Sequence, residues 1–149
     1  MKTTDLDFAL DRYVRAMEGL TAATVGRLED VMVADVYFRD PFNAVTGIDK
    51  VQQIFAALFE DCTAVRFEVR RRFRNGEHAV LVWSMSLRLR RYAKGPDWTI
   101  DGMSEVTLHP ESGLVTAHVD HWDAAGQFYE RLPVIGGALR LLRRRLMVH

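Results

Sequence analysis

The sequence predicts one α+β domain whose helices pack on one face of a curved antiparallel sheet that encloses a pocket. Three observations predict it. Apolar residues up to Phe59 recur at three- and four-residue steps, whereas from Val65 they recur at every second position. An Asn75-Gly76 pair separates two such alternating segments and is the strongest short hairpin signal in the chain. Helical segments first and long strands afterwards is the order of an α+β domain rather than of repeated βαβ units.

Leu6, Phe8, Ala9, Tyr13, Ala16, Met17 and Leu20 form the buried stripe of a first helix, capped by Asp5 or Asp7 and ending near Gly19. Thr24 is placed to cap a shorter second helix through Val25, Leu28, Val31 and Met32. Val36 to Asp40 reads as a short strand ended by Pro41, and 42–47 as a loop. Asp49 opens a third helix with Val51, Ile54, Phe55, Leu58 and Phe59 inward. Four strands follow: Val65 to the Asn75-Gly76 turn, His78 to about Arg91, Trp98 to His109, and Leu114 to Trp122. Turns are expected at Lys94-Gly95-Pro96-Asp97 and at Pro110-Glu111-Ser112-Gly113. In the tail, Ala124 to Tyr129 is expected helical, Pro133 and Gly136-Gly137 interrupt it, and 138–147 forms a short basic amphipathic helix.

The chain of 149 residues has the length of one domain, 48% hydrophobic and 27% charged, ordinary globular values. Twenty basic residues balance twenty acidic ones, so no overall field recruits nucleic acid. Cys62 is the only cysteine, which excludes an intrachain disulfide and a cysteine-rich zinc site; it is expected in a loop or at a helix end. The acidic residues among the first eleven, without a signal-like apolar core, predict a cytoplasmic protein.

Strand phase selects the residues that can share a space. His118, Asp120 and Trp122 point to one side of the last strand; Asp101, Met103 and Glu105 share a face of the strand before it. Acids and a histidine interleaved with Trp122 and Met103 describe an apolar pocket with a few polar groups, as ligand sites commonly are.

Tyr37-Phe38-Arg39-Asp40-Pro41-Phe42, Gly47 opening a helix, the hairpin, Ser112-Gly113-Leu114 and His118-Val119-Asp120-His121-Trp122-Asp123 together resemble the nuclear transport factor 2-like superfamily. The SnoaL-like branch is the nearest part of it, and the resemblance spans roughly residues 7 to 124. It implies a cone-shaped curved sheet closed by three N-terminal helices around an interior pocket. The division is then 1–124 for the SnoaL-like cone domain and 125–149 for a basic amphipathic tail packed on or extending from it. Ketosteroid isomerases and polyketide cyclases share this fold with noncatalytic binding domains, so the fold does not assign a reaction.

Two catalytic sets are implied by the resemblance. In the isomerase pattern, Asp40 in Asp40-Pro41-Phe42 matches the general base, Tyr13 in Arg12-Tyr13 matches one oxyanion donor, and Glu105 falls where the second donor is an Asp. In the cyclase pattern, His118 and Asp120 carry the acid–base work. Trp122, Trp83, Met103, Phe38 and Phe55 are the expected ligand contacts. The reading is a pocket for a small apolar carbonyl compound and, if catalytic, a cofactor-free isomerase, cyclase or lyase; a noncatalytic binding or assembly domain is the alternative.

Plainer readings stand beside these. Asp40 before Pro41 can simply end a strand, and Tyr13 on a helical stripe can simply be core. His118 with Asp120 supplies two ligands only, so no metal is expected. Arg66, Arg70, Arg72, Arg74, Arg88 and Arg90 are expected to share the outer face of the hairpin as a solvated stripe, not a nucleic-acid site. Arg140, Arg143, Arg144 and Arg145 stand against Leu139, Leu141, Leu142, Leu146 and Met147 with no acids. Such a tail can lie on an anionic membrane or dock on a partner; packing on the domain or a dimer mate is expected ahead of membrane contact. A homodimer paired through the sheet's outer face is expected from the resemblance.

Overall fold

The computed structural model of the chain describes residues 4–92, 97–132 and 135–147. The turn expected over 94–96 and the break expected at Pro133 lie outside them.

Helix α1 (Leu6–Glu18) begins where Asp5 Oδ1 accepts the backbone N–H groups of Asp7 and Phe8, and it ends at Gly19. The second helix is corrected to a 3-10 turn over Val25–Asp30, with Met32 already in the next strand. Strand β1 (Met32–Arg39) turns into β2 (Ala44–Thr46), which occupies part of the expected loop. Gly47, at φ 114°, then opens α2 (Ile48–Asp61).

Strands β3 (Cys62–Asn75), β4 (His78–Leu89), β5 (Trp98–Leu108) and β6 (Val115–Trp122) follow. The two-residue loop between β3 and β4 starts with Gly76 at φ 61°, which suits the twist of the hairpin. Six strands form one curved, unclosed sheet in the order β2-β1-β6-β5-β4-β3. It is mixed rather than wholly antiparallel, because β1 runs parallel to β6. The 3-10 turn, β1 and α2 all lie between α1 and the hairpin in the chain, and β1 joins the sheet beside the last strand rather than beside β3.

The core lies between the helices and the inner face of the sheet. Leu10 and Val14 from α1, Val36 and Phe38 from β1, Val51 from α2, and Leu81, Ile100, Val106 and Leu108 from the sheet are all buried. Each such side chain contributes about 1.5–3 kcal/mol by leaving water.

A bulge in β3 corrects the expected arginine stripe. Val69 pairs with Trp83 and Arg71 with Val82, so one residue is extra and the alternation inverts beyond it. Phe73 therefore turns outward and is exposed, while Arg72 and Arg74 turn toward α1. Arg72 meets Asp11 at 3.3 Å and Arg74 meets Asp7 at 2.7 Å. Arg90 lies in a 3-10 turn and donates to the Phe59 carbonyl at the end of α2.

The tail comprises α3 (Ala124–Gln127), a 3-10 turn (Tyr129–Arg131) and α4 (Ile135–Leu146). Gly136 and Gly137 lie inside α4 instead of interrupting it. Among the described residues, no helix is long and apolar enough to cross a membrane.

Candidate functional site

The inner face of β6 carries His118, Asp120 and Trp122, each opposite a residue of β5: Val106, Ser104 and Gly102. Gly102 is a spatial requirement. A methyl group there would stand 2.7 Å from the Trp83 ring and 2.9 Å from Trp122 Cβ. Its absence lets the indole of Trp83 cross β5 and donate from Nε1 to Ser104 Oγ at 2.8 Å.

From Ser104 a continuous polar chain runs into the core. Ser104 Oγ donates to Asp120 Oδ1 at 2.5 Å, and His118 Nε2 lies 2.7 Å from the same oxygen. On the far side of the imidazole, Tyr13 from α1 places its hydroxyl 2.6 Å from Nδ1. Donor inventory orders the protons. The indole can only donate, so Ser104 passes its own hydrogen to the carboxylate; an ionised Asp120 only accepts, so Nε2 carries the imidazole proton. In neutral His118 the remaining Nδ1 lone pair then accepts from Tyr13.

This chain is well shielded. Tyr13, Ser104 and His118 are buried, and Phe38 stacks on the imidazole at 5.2 Å with Phe55 edge-on behind it at 5.6 Å. Burial pushes the Tyr13 hydroxyl well above the ordinary phenol value, and the charge of Asp120 adds to the shift. Among the described residues, no buried side-chain nitrogen or oxygen lacks a partner. Asp120 Oδ1 takes both Ser104 and His118, and among the described residues Oδ2 takes no hydrogen bond.

Asp120 and His118 border a cavity of about 300 Å³. Its wall is largely apolar: Phe38, Phe55, Phe67, Trp83, Met85 and Trp122 contribute, with Phe42 and Phe128 toward the tail. Phe42 meets Trp122 at 5.6 Å and Phe128 at 5.5 Å, and Phe128 meets Trp98 at 5.5 Å. Through these contacts the tail segment closes one side of the cavity.

Asp40 also lines the cavity, yet its carboxylate holds a turn. Oδ1 accepts the backbone N–H groups of Phe42 and Asn43, both at 2.7 Å, and Asn43 Nδ2 at 3.2 Å. Asp40 Oδ2 has the 3.3 Å contact from the same amide. Cys62 begins β3 at the cavity wall, and burial raises its thiol above the ordinary value.

The structure therefore brings Tyr13, Trp83, His118 and Asp120 into one connected group and places Asp40, Phe38, Phe55 and Trp122 around the same cavity. Glu105 and Met103 are corrected to the outer face. Their register partners Val119 and His121 point away from the cavity, and Glu105 meets the exposed His121 at 3.3 Å. Sequence reasoning missed Ser104, Gly102, Phe42 and Phe128. For the first two a signal was present: Trp98, Ile100, Val106 and Leu108 share their phase and mark the inner face of β5. Among the described residues, no group of three or more His, Cys, Asp or Glu is arranged to hold a metal ion.

A family model described as a SnoaL-like domain matches residues 10–118. Three solved structures show the extent of the likeness. A candidate SnoaL-like polyketide cyclase from Jannaschia sp. CCS1 superposes with a TM-score of 0.68 at 17% identity, covering 83% of this chain and 89% of that one. A hypothetical protein with a ketosteroid isomerase-like fold from Catenulispora acidiphila, solved with trimethylamine, gives 0.65 at 15% identity over 85% and 91%. An LEH-like epoxide hydrolase from M. tuberculosis gives 0.65 at 12% identity over 95% and 94%. At these identities the likeness shows the fold. No curated protein gives a significant match to the sequence.

Proposed function

The chain belongs to the SnoaL-like domain family, and from that premise we propose that its cavity takes a small, largely apolar carbonyl compound and performs cofactor-free acid–base chemistry on it. The observation that carries this reading is the Tyr13–His118–Asp120 chain, which ends in a carboxylate oxygen at the wall of an apolar cavity. Asp120 Oδ2 is the proposed base. It takes a proton from the carbon next to the substrate carbonyl, and the electron pair of that C–H bond passes into the enolate. Returning the proton to another carbon completes an isomerisation. Attack of the enolate carbon on a second carbonyl, with the proton delivered to the new alkoxide, completes an aldol cyclisation. His118 donates from Nε2 to Asp120 Oδ1 and so fixes the carboxylate with Oδ2 free, while Tyr13 is a positioning residue that fixes the imidazole.

The competing isomerase set has weaker support. Asp40 Oδ1 is engaged in a turn, the Tyr13 hydroxyl is engaged with His118, and Glu105 lies on the other face. That same disposition favours, as a second reading, a binding domain in which the cavity receives a ligand and releases it unchanged. The homodimer remains part of the proposal, with exposed Phe73 and Met103 on the outer sheet face, and sedimentation equilibrium reads it directly.

A thermal-shift screen against apolar ketones, steroids and polyketide fragments tests the proposal. The expected result is a stabilising compound whose effect disappears in Trp122→Ala and whose turnover disappears in Asp120→Asn. Turnover that survives in Asp120→Asn removes the base assignment, and binding without turnover in the wild type selects the second reading.

A further inference from the structure

We propose that α4 is a docking element for an anionic lipid bilayer, lying in the interface and presenting the domain to the membrane surface. The helix is attached at one end. Gly136 packs so closely on the Glu130 carbonyl that a side chain there would collide with it. Arg140 donates to that same carbonyl, and Arg143 meets the Glu130 carboxylate at 2.9 Å. The packing of α4 is concentrated on the Tyr129–Arg131 turn, and its second half runs out over solvent.

What that second half presents is specific. At 100° per residue, Ile135, Leu139, Leu142 and Leu146 fall on one narrow stripe of the helix. Ile135, Leu142 and Leu146 are exposed, Leu146 at 76% of its full area. Arg145 flanks the stripe on one side and Arg143 on the other, with Arg144 on the back. Residues 135–147 contain four arginines and no acid.

Charge complementarity therefore selects an anionic partner, and the continuous apolar stripe selects one with a hydrocarbon interior. Arg143 is held by Glu130, and Arg145 on the other flank can extend to phosphate headgroups while the leucines enter the acyl boundary. A nucleic acid would use the arginines and leave the stripe in water. The placement also suits the cavity, because Phe128 in its wall lies just ahead of the turn that holds α4. An apolar molecule dissolved in the bilayer would be delivered next to the domain that receives it.

The test is co-sedimentation of the full chain with vesicles of phosphatidylcholine and phosphatidylserine, and with vesicles of phosphatidylcholine alone. Two double variants accompany it, Arg144→Gln with Arg145→Gln and Leu142→Ser with Leu146→Ser, all at exposed positions outside the Glu130 anchor. The expected result is binding to the anionic vesicles only, weakened about thirtyfold by loss of the two arginines and abolished by loss of the two leucines. Absence of anionic-vesicle binding overturns the proposal. So does binding that persists without the leucines, which would be simple polyanion attraction. A dimer that falls apart in the leucine variant, with no vesicle binding in the wild type, assigns the stripe to a second copy of the chain and equally overturns it.

Discussion

Replacing Tyr13 by Phe removes one oxygen and keeps the ring, so packing is preserved and only the 2.6 Å contact to His118 Nδ1 is lost. The imidazole nitrogen is then buried with no donor. Leaving a buried acceptor unpaired costs about 1–3 kcal/mol, and at about 2–4 °C per kcal/mol for a chain of this size, a 2 kcal/mol loss lowers Tm by roughly 4–8 °C. The effect depends on the partner, which a double-mutant cycle reveals: in a His118→Phe background the Tyr13 hydroxyl is itself unpaired, so Tyr13→Phe becomes neutral or stabilising. A pH dependence follows from the same geometry. Unfolded tyrosine ionises near its ordinary value of 10.0, whereas buried Tyr13 keeps its proton to higher pH. The native state then binds the extra proton, and its stability falls as pH rises above the unfolded value, by up to about 1.4 kcal/mol per pH unit. The gap between wild type and Tyr13→Phe should narrow above pH 10, and the raised Cys62 thiol, common to both proteins, cancels in the comparison. Urea titrations at pH 7 and across the alkaline range read both effects. A pH 7 loss below about 0.5 kcal/mol, with parallel alkaline profiles, would refute the claim that this bond is buried and formed.

Other consequences are quickly checked. Gly102→Val forces the Trp83 ring off β5 and costs about 1–3 kcal/mol, with a change in tryptophan fluorescence and loss of ligand-induced stabilisation. The inverted alternation beyond the β3 bulge predicts that Phe67→Ala costs about 2 kcal/mol or more, whereas Phe73→Ala, on the exposed side, stays within about 0.5 kcal/mol; equal costs would place both rings on one face. Arg72→Ala, which breaks a solvent-exposed pair with Asp11, shifts stability by no more than about 1 kcal/mol.

How far the sequence could be read depended on how local each signal was. The stripe of α1 and its Asp5 cap were legible because both belong to one helix. The Asn75-Gly76 turn and the shared face of His118, Asp120 and Trp122 were legible because a single strand fixes its own alternation. Relations between strands were less accessible. Glu105 and Met103 were placed in the pocket because both faces of β5 carry polar residues, and pairing with β6 decides which one turns inward. The bulge at Val69 to Arg71 adds one residue with no compositional mark, yet it moves Arg72 and Arg74 onto α1 and turns Phe73 to solvent. The parallel pairing of β1 with β6 and the tail's closure of the cavity through Phe128 join segments far apart in the chain. The Gly136-Gly137 pair misled for a related reason: its first glycine permits a close approach to Glu130 and does not end a helix.

The central claim is that Asp120 removes a proton from carbon next to a carbonyl inside the cavity, and hydrogen exchange on a bound ketone tests it most directly. An apolar ketone that stabilises the protein is incubated with it in deuterium oxide, and loss of the α-proton signal is followed by NMR. The account predicts deuterium incorporation above the buffer rate in the wild type. In Asp120→Asn it predicts loss of that incorporation with the ligand-induced thermal shift retained, since the amide keeps the shape of the wall and loses the base. Exchange at the wild-type rate in Asp120→Asn, or bound ketone with no exchange in either protein, would contradict it.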